Sequence, residues 1–197
     1  MRTAIVASAA FTSCALLVAF GVLRSADRAI LDGLRPLANP VLDLVSSLFS
    51  AVGGLAVTTA AALVMTLLLF CLGGRLLAAA PLLMFVGVAV ESVLKKVIEQ
   101  PPPPPELLRD AHWLAIGAIG EGGNAFPSGH LTRTTFLALV AASRWPWARW
   151  LAAVLVPLMA FTRIYSASHW ASDVIGGLCL GTALAGVAAW LAARERR

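Results

Sequence analysis

His169 and Asp173 are the two residues whose types and spacing most directly suggest chemistry. They lie four residues apart in the stretch RIYSASHWASD, which is flanked by the apolar segments WLAAVLVPLMAFT and VIGGLCLGTALAGVAAWLAA. On a helix this spacing places both side chains on one face, one turn apart. A carboxylate there can accept the proton of one imidazole nitrogen and leave the other nitrogen as a nucleophile. The alternative is an ordinary pair of neighbours on a helix.

A second candidate group is the string Pro127-Ser128-Gly129-His130, which precedes a long apolar segment. Proline, serine and glycine in this position predict a helix N-terminus, whose free backbone N–H groups suit a phosphate anion. His130 is placed to act as a general acid. The alternatives are that Ser128 only caps the helix and that His130 is an interfacial histidine.

Arg163 adds a cation at the end of an apolar segment. Its planar guanidinium matches phosphate oxygens, although snorkelling toward lipid headgroups is the simpler interpretation. Two histidines, an oriented carboxylate, cations and a helix N-terminus together favour phosphoryl transfer through a covalent phosphohistidine. This chemistry requires no cluster of carboxylates around a metal, so we expect no metal and no cofactor.

The elements that position these residues must lie in a membrane. The chain has 197 residues, of which 59% are hydrophobic and 13% charged, and its mean hydropathy is +0.85. Such a composition leaves too little polar surface for a soluble protein of this size. The net charge of +5 is attributed to loop residues that set topology, not to nucleic-acid binding. Cys14, Cys71 and Cys179 lie in apolar runs and are interpreted as small buried residues.

The apolar lengths predict an all-α, polytopic protein with six transmembrane helices in a single domain, 1–197. The first span is favoured over a cleaved signal peptide because its apolar run continues to Leu23. Between the first two spans, apolar residues at three- and four-residue steps predict an interfacial amphipathic helix, broken near Pro36 and Pro40. The predicted spans are Ala4–Leu23, Gly54–Leu72, Leu76–Leu94, Ser128–Trp147, Trp150–Ala167 and Trp170–Ala193.

The distribution of charges predicts the orientation in the cell membrane. Six spans put both termini on one side, and the short loops and tails there carry arginines and a single acidic residue, Glu195. Because basic residues in short loops favour the inside, we expect cytoplasmic termini. The active-site loops, about 95–130 and 163–173, then lie on the extracytoplasmic side.

This combination of motifs and spans resembles the type 2 phosphatidic acid phosphatase superfamily of membrane lipid phosphate phosphatases. That family carries Lys-x6-Arg-Pro, then Pro-Ser-Gly-His, then Ser-Arg-x5-His-x3-Asp. Here the second motif is intact at 127–130, and the third is present as Thr162-Arg163, His169 and Asp173, with threonine in place of serine. The resemblance covers most of the chain.

The resemblance implies a role for each matching residue. His169 would attack phosphorus, Asp173 would orient it, and His130 would protonate the leaving oxygen and then activate water. The first motif departs from the pattern, because aligning Lys95 puts Pro102 at the arginine position. Arg133 is one candidate for the missing cation, and Arg109 is another. The expected phosphate-binding set is Lys95, Ser128, Gly129, Arg163 and Arg133.

The expected function is hydrolysis of a lipid phosphomonoester or diphosphate through a phosphohistidine. Polyprenyl diphosphates, phosphatidate-like lipids and phosphatidylglycerol phosphate are the substrate candidates, and membrane lipids are the other expected partners. Two alternatives are a lipid phosphotransferase and a non-catalytic lipid-binding or transport protein that retains the fold. The sequence indicates neither the oligomeric state nor the physiological pathway.

Overall fold

All regular secondary structure in the described part of the chain is helical. The computed structural model describes residues 1–72, 78–109 and 123–195, and no strand occurs among them. Short 3-10 turns lie at Arg35–Leu37, Ala80–Leu83 and Pro105–Leu107. The α-helices are α1 (Arg2–Ala19), α2 (Arg24–Leu34), α3 (Pro40–Gly53), α4 (Leu55–Cys71), α5 (Met84–Val97), α6 (Gly129–Arg144), α7 (Ala148–Tyr165) and α8 (Ala171–Glu195).

Fewer helices in the described residues have the length and hydropathy of a membrane span than the six that the sequence predicts. Within the described ranges, α1, α7 and α8 are long and apolar enough to cross a membrane, and α3 with α4 forms a pair bent by 51° that makes a fourth candidate. The other two expected spans coincide with shorter helices, α5 with 14 residues and α6 with 16. At 1.5 Å per residue, such helices fall short of a hydrocarbon core about 30 Å thick. Six spans are therefore not confirmed.

The segment between the first two expected spans forms two helices. A break near Pro36 and Pro40 was expected, and it lies between the end of α2 and the start of α3. Asn39 caps α3, since its Oδ1 accepts hydrogen bonds from Val41 N at 3.1 Å and Leu42 N at 3.0 Å. The amphipathic α2 fits the expected interfacial helix, whereas α3 packs against α7. An interfacial position for α2 stays a prediction.

Glycines allow α6 and α8 to pack closely. Gly177 and Gly181 form a G-x-x-x-G pattern on α8 and face the backbone of α6. A Cβ at Gly181 would lie 2.6 Å from Thr132 O, and one at Gly177 would overlap Ser128 O. Small residues at this spacing let helix backbones approach each other in a membrane. This packing fixes α8, which carries His169 at its entrance, relative to the first turn of α6.

Candidate active site

Five helix ends bring the polar residues together. They are the N-termini of α6 and α8 and the C-termini of α3, α5 and α7. The Trp145–Trp150 turn joins the opposite ends of α6 and α7. The sequence-predicted residues of the second and third motifs therefore lie at one end of the helix bundle. α3 was not expected among these elements.

His169 and Asp173 lie close together, but they do not share a helix face as expected, because His169 lies in the bend two residues before α8 begins at Ala171. His169 Nδ1 is 3.5 Å from Asp173 Oδ2, and both side chains are buried. This distance is longer than an ordinary N–H···O hydrogen bond, so the pair is adjacent without being tightly bonded. Because Nδ1 faces the carboxylate, Nε2 is the nitrogen available for attack. The His169 backbone N–H donates to Arg163 O at 3.2 Å, which connects the histidine to the cation of its motif.

Asp173 also holds the backbone around His169. Its Oδ2 accepts from Trp170 N at 2.9 Å, so the carboxylate caps the N-terminus of its own helix. Its Oδ1 accepts from Gln100 Nε2 at 2.7 Å. Its main-chain oxygen accepts from Ser128 N at 3.0 Å. The backbone of Asp173 thus connects the second and third motifs. Neutral donors hold the orientation of its side chain.

Asp27 of α2 completes the N-terminus of α8. Its carboxylate accepts from Ser172 N at 2.8 Å and from Ser172 Oγ at 2.7 Å. The amide of Gln100 bridges Ser172 Oγ and Asp173. Burial is the main reason that the pKa of Asp27 is raised, and the nearby Asp173 raises it further, while the hydrogen bonds from Ser172 oppose the shift. A carboxylate distant in sequence therefore supports the residue that orients His169.

Arg163 and His130 meet at Ser50 of α3. The buried guanidinium of Arg163 donates to Ser50 Oγ at 2.9 Å and to Ser46 O at 2.8 Å. His130 Nε2 lies 3.1 Å from Ser50 O. Because a carbonyl oxygen can only accept, this hydrogen bond requires a proton on Nε2. The C-terminal turns of α3 thus hold both the expected general acid and the expected phosphate-binding arginine.

Lys95 and Arg133 share one carboxylate. Lys95 Nζ lies 2.9 Å from Glu91 Oε1, and Arg133 Nη1 lies 3.2 Å from Glu91 Oε2. Arg133 Nη2 also donates to Gly53 O at 3.1 Å. The side chains of Glu91, Lys95 and Arg133 are 11%, 15% and 6% exposed, respectively. Both expected phosphate-binding cations are therefore already paired with an acidic residue of α5.

Ser128 and Gly129 form the entrance of α6 next to this carboxylate. Ser128 Oγ is buried and has no hydrogen-bond partner among the described residues. A Cβ at Gly129 would overlap the carboxylate of Glu91, so only glycine leaves space for the acidic group against the helix entrance. The N-terminus of α6 therefore carries the unpaired Ser128 hydroxyl and lies against the Glu91 carboxylate.

The proline run and Arg109 occupy the edge of the site. Trp170 Nε1 donates to Pro101 O at 2.8 Å, which places the start of the run beside the residue that follows His169. Arg109 N donates to Ser166 O at 3.0 Å, and the guanidinium of Arg109 lies 5.9 Å from the ring centroid of Tyr165. Arg109 therefore packs against the turn between α7 and α8. Loop residues 110–122 of the predicted loop 95–130 lie outside the described residues.

Sequence reasoning missed four residues that contact the expected site. An acidic residue inside a predicted span is a functional signal in itself, and Glu91 stands one helical turn before Lys95, so its role was detectable. The other three give no comparable signal, because their contacts depend on how distant helices pack. They are Asp27, Ser50 and Gln100. Among the described residues, no group of three or more His, Cys, Asp or Glu side chains is arranged to hold a metal ion.

Comparisons with known proteins agree with the helical fold. The sequence model of the PAP2 superfamily matches residues 76–197. The fold is similar to that of the first transmembrane PAP2 type phosphatidylglycerolphosphate phosphatase from Bacillus subtilis, with a TM-score of 0.78 and 21% sequence identity over 98% of each chain. No curated protein matches the chain. The similarity to the solved structure also extends over α1–α4, which precede the family match.

Proposed function

The chain belongs to the PAP2 superfamily, and from that premise we propose that it is a membrane phosphatase that releases phosphate from lipid phosphates through a phosphohistidine. The observation that carries the proposal is the junction of the two intact motifs. His169 lies beside Asp173, and the same aspartate accepts a hydrogen bond from the Ser128 backbone. The nucleophile and the anion-binding helix entrance are therefore held against each other.

The first step forms a bond between His169 Nε2 and phosphorus. The bond between phosphorus and the lipid oxygen breaks, and the leaving oxygen takes a proton from His130. Asp173 stabilises the imidazolium that develops on His169. Arg163, Ser128 and the N–H groups at the start of α6 hold the charge on the transferred phosphoryl group.

The second step regenerates the enzyme. A water molecule gives a proton to His130 and attacks phosphorus, and the bond from phosphorus to His169 breaks. Inorganic phosphate leaves, and His169 returns to its neutral form beside Asp173. His130 thus ends the cycle with the proton that it donated in the first step. No other residue needs to change its covalent state.

The substrate class follows from the setting of the site. The site lies at the ends of α7 and α8, two helices that are long and apolar enough to cross a membrane, so an amphiphilic phosphate can place its tail in the lipid and its headgroup at the helix ends. The protein similar in fold is described as a phosphatidylglycerolphosphate phosphatase, which supports a lipid phosphate as the substrate. We place both termini in the cytoplasm and the site on the extracytoplasmic side.

Phosphate release by the purified protein tests the proposal. Phosphatidate, phosphatidylglycerol phosphate and a polyprenyl diphosphate are supplied in detergent micelles with EDTA, and His169→Ala serves as the inactive control. We expect EDTA-resistant release by the wild type and acid-labile phosphate on His169 after rapid quenching. Transfer of labelled phosphate to a second lipid would indicate the phosphotransferase instead. Absence of turnover on every substrate would favour the non-catalytic alternative.

A further inference from the structure

Glu91 is a charged group at the phosphate end of the site for which the mechanism above has no role. It lies on α5, one turn before Lys95, and its carboxylate is buried. Its two oxygens contact different cations, Oε1 with Lys95 and Oε2 with Arg133. It also lies against Gly129, at the helix entrance that the mechanism assigns to phosphate. An acidic group in this place opposes the binding of an anion.

The formal charges of these side chains show how Glu91 weakens the attraction for an anion. Lys95 and Arg133 together contribute two positive charges, and Glu91 cancels one of them. Arg163 is instead bonded to the neutral acceptors Ser46 O and Ser50 Oγ, so its charge is not cancelled by these partners. Like charges in a buried site repel strongly because little water separates them. Each additional negative charge on the ligand therefore meets a less favourable field than the cations alone would give.

The first motif also lowers the positive charge of the site. The sequence has Pro102 where the family resemblance would place an arginine. The site thus lacks one cation of that pattern and carries an acidic residue against two of those that remain. Both features lower the positive charge available to the phosphate group.

We propose that Glu91 is a specificity-determining residue that makes the site select lipid phosphomonoesters over lipid diphosphates. The inference rests on the proposed phosphatase function and narrows its substrate class. A diphosphate headgroup carries more negative charge than a monophosphate with the same tail. The Glu91 carboxylate therefore penalises the diphosphate more.

A pair of substrates with identical tails tests the selection. Farnesyl phosphate and farnesyl diphosphate are compared by kcat/KM in the wild type and in Glu91→Gln, which keeps the size of the side chain and removes its charge. We expect Glu91→Gln to raise the diphosphate-to-monophosphate ratio by about fivefold or more. Glu99→Gln is the matched control, because Glu99 is exposed in the loop after α5 and its loss should leave the ratio unchanged.

A double variant separates charge from structure. Glu91→Gln leaves Lys95 and Arg133 without their shared partner, which can weaken the fold. Glu91→Gln with Lys95→Met restores the original charge balance, so its ratio should return to within about twofold of the wild type, even if its absolute rate is low. A ratio unchanged in Glu91→Gln, or still raised in the double variant, overturns the proposal.

The failure of the phosphatase function would be seen separately. If the wild type releases phosphate from neither farnesyl substrate and from none of the lipids tested for the proposed function, that function is wrong. Whenever the farnesyl pair is not hydrolysed, Glu91 is tested by ligand binding alone. Inorganic phosphate and pyrophosphate are then titrated while the thermal unfolding of each variant is followed. Glu91→Gln should strengthen pyrophosphate binding more than phosphate binding. Equal changes for both ligands would contradict the selective role.

Discussion

The two halves of the site are built by different physical means. The nucleophile half is named for the proposed role of His169. In it, neutral donors and two helix-capping carboxylates, Asp173 and Asp27, hold the N-terminus of α8 beside His169. The cation half places Lys95 and Arg133 on a single acidic residue. In the first half, hydrogen bonds fix the orientation of the side chains around His169. In the second, paired charges set the electrostatic field that the phosphate meets.

The difference predicts how strongly substitutions in each half affect the reaction rate. A nucleophile must point its lone pair at phosphorus, so a lost hydrogen bond acts on the geometry of the reacting atom. A cation acts over a longer range, and a neighbouring cation can compensate for part of its loss. We therefore expect substitutions in the nucleophile half to lower the rate more than those in the cation half.

Replacing His169 should give the largest effect. His169→Ala removes the atom that forms the covalent bond, and we expect the rate of phosphate release to fall by at least about a thousandfold. The quenched protein should carry no acid-labile phosphate. A variant with near wild-type turnover would show that another residue is the nucleophile.

Asp173→Asn should come next. The amide keeps an oxygen for one neighbouring donor but removes the charge that stabilises the imidazolium, so we expect a loss of about a hundredfold or more in kcat. The melting temperature of the purified protein should show that the fold remains. If kcat changes by less than tenfold, the orienting role of Asp173 is wrong.

Arg133→Ala tests the cation half. A charge-assisted contact to phosphate is typically worth about 1.5–3 kcal/mol, so we expect kcat/KM to fall by at least about tenfold. Pro102→Arg in that background should recover part of the loss, because the neighbouring Pro101 is bonded to Trp170 beside the nucleophile. Arg109→Ala tests the other candidate for the missing cation, and we expect it to lower kcat/KM less, because Arg109 packs against Tyr165. A change below twofold in Arg133→Ala would remove its proposed role.

Asp27→Asn should give the smallest effect on rate and a distinct effect on stability. The amide can accept only one of the two hydrogen bonds from Ser172, which is worth about 1 kcal/mol. Because burial raises the pKa of Asp27, the folded state holds the proton more tightly, and wild-type stability falls as the pH rises through the raised pKa. Asp27→Asn should flatten this part of the profile of melting temperature against pH. An unchanged profile would contradict the assignment.

The sequence predicted the nucleophile half better than the cation half. The proximity of His169 and Asp173 could be predicted from their four-residue separation, which needs no knowledge of packing, although His169 lies in the turn before α8 and not on the helix itself. The partners of Arg133 lie 42 and 80 residues away, on α5 and at the end of α3. Their proximity depends on how separate helices pack, which periodicity does not encode. The same limit applies to α3, whose periodicity predicted an interfacial helix and not its contacts with Arg163 and His130.

The long sequence separations within the site bear on the order in which the protein folds. The bonds from Arg163 to α3 span 113 and 117 residues, and those from Ser172 to Asp27 span 145. Contacts between distant parts of a chain form only after the whole segment between them has been synthesised, and closing such loops slows folding. The helices before α7 can therefore associate while the site has neither its nucleophile nor its buried arginine. We therefore expect the site to form late in folding, when α8 docks between α1 and α6.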